Sequence, residues 1–253
     1  MEMVLKVKNL TKIFEDGTKA LDGIDLEIRK GEFISVIGSS GAGKSTLFRC
    51  LNRLEISTDG TIQFLNEKVE QAGKKELRKI RSKMAMIFQN YKLIDRSTVL
   101  ENVLHGRLGQ MSSLRGVFSH YSEDDKREAI QFLEQVGLHE EIYKRADELS
   151  GGQKQRVGVC RALMQHPKLI LADEPIASLD PVSAKIVMDS IYNACIEKEV
   201  TCLVNLHQID IVKKYSTRII AIRAGRIVFD GDASNLTTSF LHKLYEGNEH
   251  EML

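Results

Sequence analysis

The sequence lacks the features that mark membrane, secreted and nucleic-acid-binding proteins. No apolar stretch approaches the ~20 residues that a membrane-spanning helix needs, and the N-terminus does not have the pattern of a signal peptide. The 36 basic and 35 acidic side chains nearly cancel, so the net charge of +1 gives no reason to expect nucleic acid as the main partner. The four cysteines form no C-x-x-C pair, and we expect them to be reduced in a cytosolic core. Any role at a membrane is therefore expected to come through a partner.

A glycine-rich segment has the spacing of a phosphate-binding loop. Residues 38–45 read G-S-S-G-A-G-K-S, which matches G-x-x-x-x-G-K-[ST] in full. They follow the apolar run Phe33–Ile37, which is typical of a buried strand, and they precede apolar residues at helical spacing through Leu54. Glycines let backbone N–H groups surround an anion, and the helix N-terminus adds its positive end. A plain turn would match by chance in roughly one chain of this length in a hundred, so we predict nucleotide binding.

Two side chains of this loop have the chemistry that a nucleoside triphosphate requires. Lys44 is expected to reach the β- and γ-phosphates, and the Ser45 hydroxyl is expected to be a ligand of Mg²⁺. The predicted nucleotide-binding residues are Gly38, Ser39, Ser40, Gly41, Ala42, Gly43, Lys44, Ser45 and Thr46.

Strand patterns precede and follow this loop. Apolar and polar residues alternate around Leu5 and again around Leu26, and Asp59-Gly60 begins a further strand, so we predict an antiparallel β layer against the nucleotide core. Phe14 lies between the first two strands. Its ring either packs near a turn or offers a flat face on which adenine stacks.

A core strand over Met84–Phe88 is followed by Gln89, at the strand end where α/β sheets bind ligands. By itself Gln89 is also compatible with an ordinary loop residue. From about residue 90 to residue 166 the pattern is helical, with capping boxes at Thr98-x-x-Glu101 and Ser122-x-x-Asp125. We predict a helical subdomain inserted into an α/β core.

A second glycine turn, made of Leu149, Ser150, Gly151, Gly152 and Gln153, precedes a helix. A glycine-fronted helix N-terminus is a second anion-binding feature. Two such turns in one chain indicate either two bound phosphates or one nucleotide held between two chains.

Polar residues at strand ends supply candidate catalytic groups. Asp173 and Glu174 end an apolar run, and they suit an outer ligand of Mg²⁺ and a base that deprotonates water, respectively. Asp180, before Pro181, is also explained by helix capping alone. His207 follows a strand and is either structural or a neutral imidazole that senses a γ-phosphate and positions water.

The order of these features resembles the ATP-binding subunits of ABC transporters, over nearly the whole chain. The matching positions are Phe14, Gly38–Ser45, Gln89, Leu149–Gln153, Asp173, Glu174, Ser178–Asp180 and His207. The resemblance implies an α/β fold with a P-loop NTPase (RecA-like) core, an N-terminal antiparallel β layer and an inserted helical subdomain. It implies one domain, 1–253, with a core over 1–89 and 167–253 and a helical signature subdomain over 90–166.

The same resemblance implies roles for individual residues. Phe14 would stack on adenine, Ser45, Gln89 and Asp173 would contact Mg²⁺, and Glu174, His207 and Gln89 would act in ATP hydrolysis. The signature, Leu149–Gln153, would contact ATP held by a second copy of the chain, next to the D-loop, made of Ser178, Leu179 and Asp180. ATP binding would close the dimer, and hydrolysis would open it and drive a membrane permease. The implied location is the cytoplasmic face of the cell membrane, as a peripheral subunit, with a soluble ligand-binding protein as an indirect partner.

A narrower resemblance is to the ATPases of phosphonate importers. It is carried by Val99–Gly109, Ala172–Pro181, Leu206–Tyr215 and Arg218–Gly231. Two positions depart from the commonest family pattern: Phe14 replaces tyrosine, and Asn205 stands where a small hydroxyl residue is more usual.

Two other functions use similar motifs, and the sequence fits each of them less well. An ABC-type ATPase acting on nucleic acid or ribosomes usually carries two cassettes or a long coiled-coil insertion, and this chain has one set of motifs. A P-loop kinase or GTPase would leave the second glycine turn unexplained. In a transporter, residues 90–103 are expected to dock the permease, with Tyr91 and Leu93 either in that surface or in the subdomain core.

Overall fold

The computed structural model describes residues 2–112, 116, 118, 120–177 and 179–245. Its alternating segments form the predicted antiparallel layer. β1 (Met3–Ile13) pairs with β2 (Lys19–Arg29) on one side and with β4 (Asp59–Phe64) on the other. β5 (Glu67–Lys68) completes this sheet, in the order β2-β1-β4-β5.

A second sheet holds the mostly apolar, buried strands and one alternating edge strand. It comprises β3 (Phe33–Ile37), β6 (Met84–Ile87), β7 (Leu169–Asp173), β8 (Thr201–Asn205), β9 (Arg218–Arg223) and β10 (Arg226–Asp232). The order is β10-β9-β3-β8-β7-β6, and the pairs are parallel except that of β10 with β9, which is an antiparallel hairpin. The continuous apolar runs of β3, β7 and β8 fit a sheet covered on both faces.

The helices fall into groups along the chain. The helices before β6 are α1 (Lys44–Leu51) and α2 (Lys74–Arg81). Between β6 and β7 lie α3 (Val99–Leu104), α4 (Glu123–Gln135) and α5 (Gly151–Met164). After β7 come α6 (Pro181–Glu197), α7 (Ile209–Tyr215) and α8 (Thr238–Tyr245). Short 3₁₀ turns cover His105–Gly109, His139–Glu141, Ala146–Glu148 and Ala233–Asn235. Of the helices described, none is long and apolar enough to cross a membrane.

The period of two along each strand divides the core between the faces of the second sheet. Leu171 of β7 and Leu203 of β8 lie in the cluster that includes α1 and the antiparallel layer. Their neighbours Ala172 and Val204 lie in the cluster formed with α3–α6. Asp173 lies two residues after Leu171, and Asn205 lies two residues after Leu203. The same alternation therefore brings both to the face that carries α1.

Two sequence predictions are corrected by the fold. The helical spacing through Leu54 overextends α1, which ends at Leu51. Arg53 has φ +52°, and the N–H groups of Arg53 and Leu54 donate to the carbonyls of Cys50 and Arg49, which closes the helix locally. Arg81 then donates to the carbonyls of Asn52 and Arg53. Leu54 is consequently left exposed.

The second correction concerns the start of the helical segment. Residues 90–98 are not helical, and α3 begins only at Val99. The buried Asn102 side chain holds this stretch, because its Nδ2 donates to the carbonyl of Ile94 and its Oδ1 accepts the Ile94 N–H. Both predicted capping boxes are confirmed, at the starts of α3 and α4.

Candidate functional site

The phosphate loop connects β3 to α1 and is closely packed by its neighbours. Gly38 and Gly43 have φ of +148° and +108°, in the region that favours glycine. A Cβ on Gly38 would lie 2.2 Å from the carbonyl oxygen of Ile222, and one on Gly43 would lie 2.3 Å from that of Ala20. The glycines of the motif are therefore required both by conformation and by space.

Lys44 is the first residue of α1 and is only 4% exposed. Its Nζ donates to the carbonyl oxygens of Gly38 and Ser39, at 2.6 and 2.9 Å. The ammonium group thus lies across the mouth of the same loop whose backbone N–H groups are suited to an anion. Thr46, the next candidate after Ser45, is half-buried in the first turn of α1.

Two strands and one helix bring polar groups together beside the loop. The Ser45 Oγ donates to Asp173 Oδ1 at 2.8 Å, and Asn205 Nδ2 donates to the same oxygen at 2.9 Å. Asp173 and Asn205 are register partners in the parallel pair of β7 and β8. Ser45 and Asp173 are thus in direct contact, and their role at one metal site stays a prediction.

Glu174 follows β7 and contacts His207, which follows β8. The His207 Nε2–H donates to Glu174 Oε1 at 2.9 Å. This hydrogen bond, followed by the charges of His207 and Lys44, lowers the pKa of Glu174 below its ordinary value, while burial opposes the shift. Glu174 also has φ +51°, a strained conformation for a residue with a Cβ. The carboxylate is thus ionised and oriented, as a proton acceptor must be.

A cavity of about 160 Å³ lies beside this pair. Its walls include Glu174, His207, Ile176, Leu206 and Gln208. The volume is sufficient for several water molecules, each of which takes about 30 Å³ in the liquid.

Gln89 and Phe14 lie at the borders of the site. Gln89 is exposed in the turn after β6, and within the described part of the chain it makes no hydrogen bond to Ser45 or Asp173. Phe14 is 37% exposed, and the Lys12 ammonium lies 5.0 Å from its ring centroid. The Phe14 ring is therefore partly accessible, and both residues remain candidates.

The second glycine turn begins α5, as the sequence predicts. Ser150 caps the helix: its Oγ accepts the Gln153 N–H at 3.3 Å, and Gln153 Oε1 accepts the Ser150 N–H at 2.9 Å. Leu149 is buried, and Gln153 also donates to Glu141. In the described part of the chain, no hydrogen bond joins this turn to the phosphate loop.

The segment after Glu174 approaches this turn. A Cβ on Gly152 would lie 3.9 Å from Leu179 Cδ2 and 3.0 Å from Ser183 Oγ. Asp180 caps α6, because its Oδ1 accepts the N–H groups of Val182 and Ser183 at 3.0 Å each. The capping interpretation of Asp180 is thus confirmed, and Ser178 lies outside the described residues.

Sequence reasoning missed a contact that joins the Gln89 turn to α5. Arg161 donates from Nη1 to the carbonyl of Lys92 at 2.6 Å and from Nη2 to that of Tyr91 at 2.7 Å. A Cβ on Gly151 would lie 2.9 Å from the Tyr91 hydroxyl. Leu93 is partly buried against the core, whereas Ile94 is 53% exposed. Tyr91 and Leu93 therefore contribute to packing, and no local pattern in the sequence pointed to Arg161.

The donor set suits ATP with Mg²⁺. Mg²⁺ prefers oxygen ligands and is usually held by one or two carboxylates together with substrate phosphates, rather than by a cage made only of protein. Ser45 and Asp173 supply a hydroxyl and a carboxylate beside the phosphate loop. Within the described residues no cluster of three acidic, histidine or cysteine side chains forms such a cage.

Comparisons with known proteins agree with this geometry. A family model described as ABC transporter matches residues 21–177. The phosphonates import ATP-binding protein PhnC 2 of Oceanobacillus iheyensis is 48% identical over 250 residues, which are 99% of this chain and 98% of that protein. The corresponding protein PhnC of Treponema denticola is 49% identical over 241 residues, which are 95% and 94% of the two chains.

Solved structures share the fold. A dimeric ATP-binding cassette in a post-hydrolysis state, bound to ADP and Pi, is 32% identical with a TM-score of 0.81, covering 92% of this chain and 100% of that one. The ADP conformation of an ATP-binding cassette of an ABC transporter is 30% identical with a TM-score of 0.82, covering 98% and 100%. These structures share the α/β cassette architecture inferred above. Since family model, near full-length relatives and solved cassettes all agree, the chain belongs to the ABC transporter family, as one of its ATP-binding cassettes.

Proposed function

We propose that this chain is the ATP-hydrolysing subunit of an importer for phosphonates or a related small phosphorus oxyanion. The observation that carries the proposal is the identity of 48–49%, over nearly the full length, with proteins named phosphonates import ATP-binding proteins. The stretches that carried the narrower resemblance lie within that shared length. The group of Lys44, Asp173, Glu174 and His207 supports the hydrolytic activity.

In this function the phosphate loop binds the triphosphate. Backbone N–H groups of Gly38–Ser45 surround the phosphates, Lys44 binds the β- and γ-phosphates, and Phe14 stacks on adenine. Ser45, Asp173 and Gln89 are the residues that would hold Mg²⁺. The ion, when bound, neutralises charge on the phosphate oxygens.

Glu174 is the proposed general base. It accepts a proton from the attacking water as the bond from the γ-phosphorus to its bridging oxygen breaks, which releases ADP and phosphate. His207 orients the carboxylate through the 2.9 Å hydrogen bond and positions the water. The cavity of about 160 Å³ beside the pair gives that water a place.

A second copy of the chain completes the site in this proposal. Leu149–Gln153 and the segment Ser178–Asp180 of one copy would face the ATP held by the other. The dimeric state of a related cassette supports this arrangement. Residues 90–166 would form the signature subdomain, and 1–89 with 167–253 the nucleotide core.

The proposed partners are membrane permease subunits and, indirectly, a soluble ligand-binding protein, with no nucleic acid. The chain would then lie at the cytoplasmic face of the cell membrane, as a peripheral subunit. Residues 90–103 remain the proposed docking segment. With Tyr91 and Leu93 partly packed, the exposed Ile94 is the apolar side chain best placed to meet a permease.

The test is ATP hydrolysis by the assembled transporter. The chain would be reconstituted with its permease in vesicles and supplied with the soluble binding protein. Methylphosphonate is expected to increase the rate of phosphate release from ATP, and sulfate is not. Glu174→Gln in the same assembly is the control, and it should remove the stimulated rate.

Two results would contradict the proposal. Stimulation by sulfate but not by any phosphorus oxyanion would exclude the proposed substrate class while leaving the ATPase role intact. Copurification with nucleic acid or ribosomes in place of a permease would favour the rival ABC-type ATPase outside transport.

A further inference from the structure

Asn205 ends β8 in surroundings that are unusual for a polar side chain. It is 0% exposed, and the strand that carries it is buried throughout. Asparagine is also disfavoured in strands relative to branched apolar residues. A polar residue at this position therefore needs an explanation in the contacts of its amide group.

The amide makes one hydrogen bond and leaves one atom unused. Nδ2 donates to Asp173 Oδ1 at 2.9 Å, whereas Asn205 Oδ1 is buried with no hydrogen-bond partner in the described structure. The assignment of the two amide atoms follows from this contact, because only the nitrogen donates to a carboxylate. A buried acceptor without a partner destabilises the fold, so an apolar side chain would serve the core better.

The contact determines which Asp173 oxygen remains available. Both Asn205 Nδ2 and Ser45 Oγ donate to Oδ1, and no described residue donates to Oδ2. Asn205 lies beside Asp173 in the register of the parallel pair, so the amide crosses a single strand spacing. The carboxylate is thus held by a rigid neighbour in the sheet, with Oδ2 left for another ligand.

We propose that Asn205 is a positioning residue, which holds the Asp173 carboxylate in the orientation that a divalent cation needs. The inference rests on the proposed function, in which Ser45 and Asp173 hold Mg²⁺. Hydrogen-bonding partners of metal ligands fix ligand orientation, and their loss typically weakens metal affinity about 10–100-fold. This role explains why the core keeps an amide with an unused oxygen.

The test measures metal affinity without hydrolysis. Asn205→Leu removes the donor and keeps the branched shape and the number of side-chain heavy atoms. Mn²⁺, a paramagnetic substitute for Mg²⁺, would be titrated by electron paramagnetic resonance in the presence of a non-hydrolysable ATP analogue. We expect the Mn²⁺ dissociation constant to rise about 10–100-fold, with unchanged affinity for the analogue when metal is omitted.

Matched variants separate the loss of the Asn205 donor from a change in core packing. Leu203→Val changes a buried residue on the same face of β8, and it should leave Mn²⁺ affinity unchanged. Asn205→Ala also lacks the donor, and it replaces the leucine variant if that one does not fold. Asp173→Asn removes the charge of the proposed ligand and should weaken Mn²⁺ binding more than either Asn205 variant.

The outcomes test the positioning role of Asn205 separately from the proposed metal site at Asp173. If Asp173→Asn weakens Mn²⁺ binding and neither Asn205 variant does, Asn205 has no positioning role. Equal losses in Asn205→Leu and Leu203→Val, or an equal loss of metal-free analogue binding, would assign Asn205 to packing alone. Unchanged Mn²⁺ affinity in Asp173→Asn would instead refute the proposed metal site itself.

Discussion

Lys44 is the residue on which nucleotide binding depends most directly. Its ammonium group is buried and held by the carbonyls of Gly38 and Ser39, at the mouth of the loop. Hydrogen bonds to charged groups contribute about 1.5–3 kcal/mol each. We therefore expect Lys44→Ala to weaken ATP binding by at least about tenfold, measured by titration calorimetry.

An exposed lysine provides the control for this change. Lys30 pairs with Glu199 at the surface, outside the phosphate loop. Lys30→Ala should leave ATP affinity unchanged. Equal affinity of Lys44→Ala and the parent protein would refute the assignment of the phosphate loop.

The contact of Glu174 with His207 should make the stability of the fold depend on pH. The hydrogen bond from His207 lowers the pKa of Glu174 from its ordinary value of 4.5. A lowered carboxylate pKa stabilises the folded protein above the unfolded-state pKa, and this contribution is lost as pH falls through the folded-state pKa. The parent protein should therefore have a larger free energy of unfolding than Glu174→Gln at neutral pH. This difference should shrink as the pH falls below about 4.5.

Chemical denaturation between pH 7 and about pH 3 measures this difference. The matched comparison is made in a His207→Ala background, where the main cause of the pKa shift is removed. There the advantage of the Glu174 carboxylate over glutamine should be smaller at neutral pH and should change less as the pH falls, because burial opposes the remaining effect of Lys44 on the pKa. If the difference in free energy of unfolding has the same pH dependence with and without His207, the hydrogen bond from His207 is not the cause of the lowered Glu174 pKa.

At the scale of elements, Arg161 connects α5 to the turn that carries Gln89. Its guanidinium donates to the carbonyls of Tyr91 and Lys92, two consecutive residues with φ of +53° and +50°. Such backbone conformations persist only where surrounding contacts hold them. α5 and the turn that carries Gln89 are therefore expected to move as one element.

We expect Arg161→Lys to loosen this connection, because a lysine cannot reproduce the forked pair of donors. Hydrogen exchange of residues 89–93 should become faster, and the free energy of unfolding should fall by about 1–3 kcal/mol. Arg96→Lys, at an exposed position of the same segment, is the control. Unchanged exchange in Arg161→Lys would show that other contacts hold the turn.

At the scale of the whole molecule, the arrangement of the two glycine turns predicts a dimer that depends on ATP. Glu174→Gln keeps the shape of the base and removes the acceptor of the water proton. ATP should then bind without being hydrolysed, and the closed dimer should accumulate. Size-exclusion chromatography with ATP and Mg²⁺ should show a dimer peak that is weaker or missing in the parent protein.

The combined variant Lys44→Ala with Glu174→Gln is the control for this experiment. It should remain monomeric, because the dimer requires bound ATP. A dimer of equal size and amount in the absence of ATP would contradict the proposed closure by nucleotide.

The sequence by itself determined those features whose partners lie a few residues away. The capping boxes at Thr98 and Ser122 form as their spacing predicts, because each closes hydrogen bonds between residues three positions apart. The G-x-x-x-x-G-K-[ST] spacing likewise determined the conformation of the phosphate loop, because glycines are needed there both for positive φ and for close approach.

Only the tertiary structure decided which distant residues meet. Ser45 and Asp173 are 128 positions apart, and they come together because α1 covers the face of β7 to which Asp173 points. The register of β7 with β8 places Asn205 against the same carboxylate, a contact that no local pattern indicates. Arg81, about thirty residues away along the sequence, likewise meets the carbonyls of Asn52 and Arg53 just beyond the end of α1. Periodicity and turn chemistry report contacts within one segment, whereas the residues that meet across the sheet depend on the order and register of its strands.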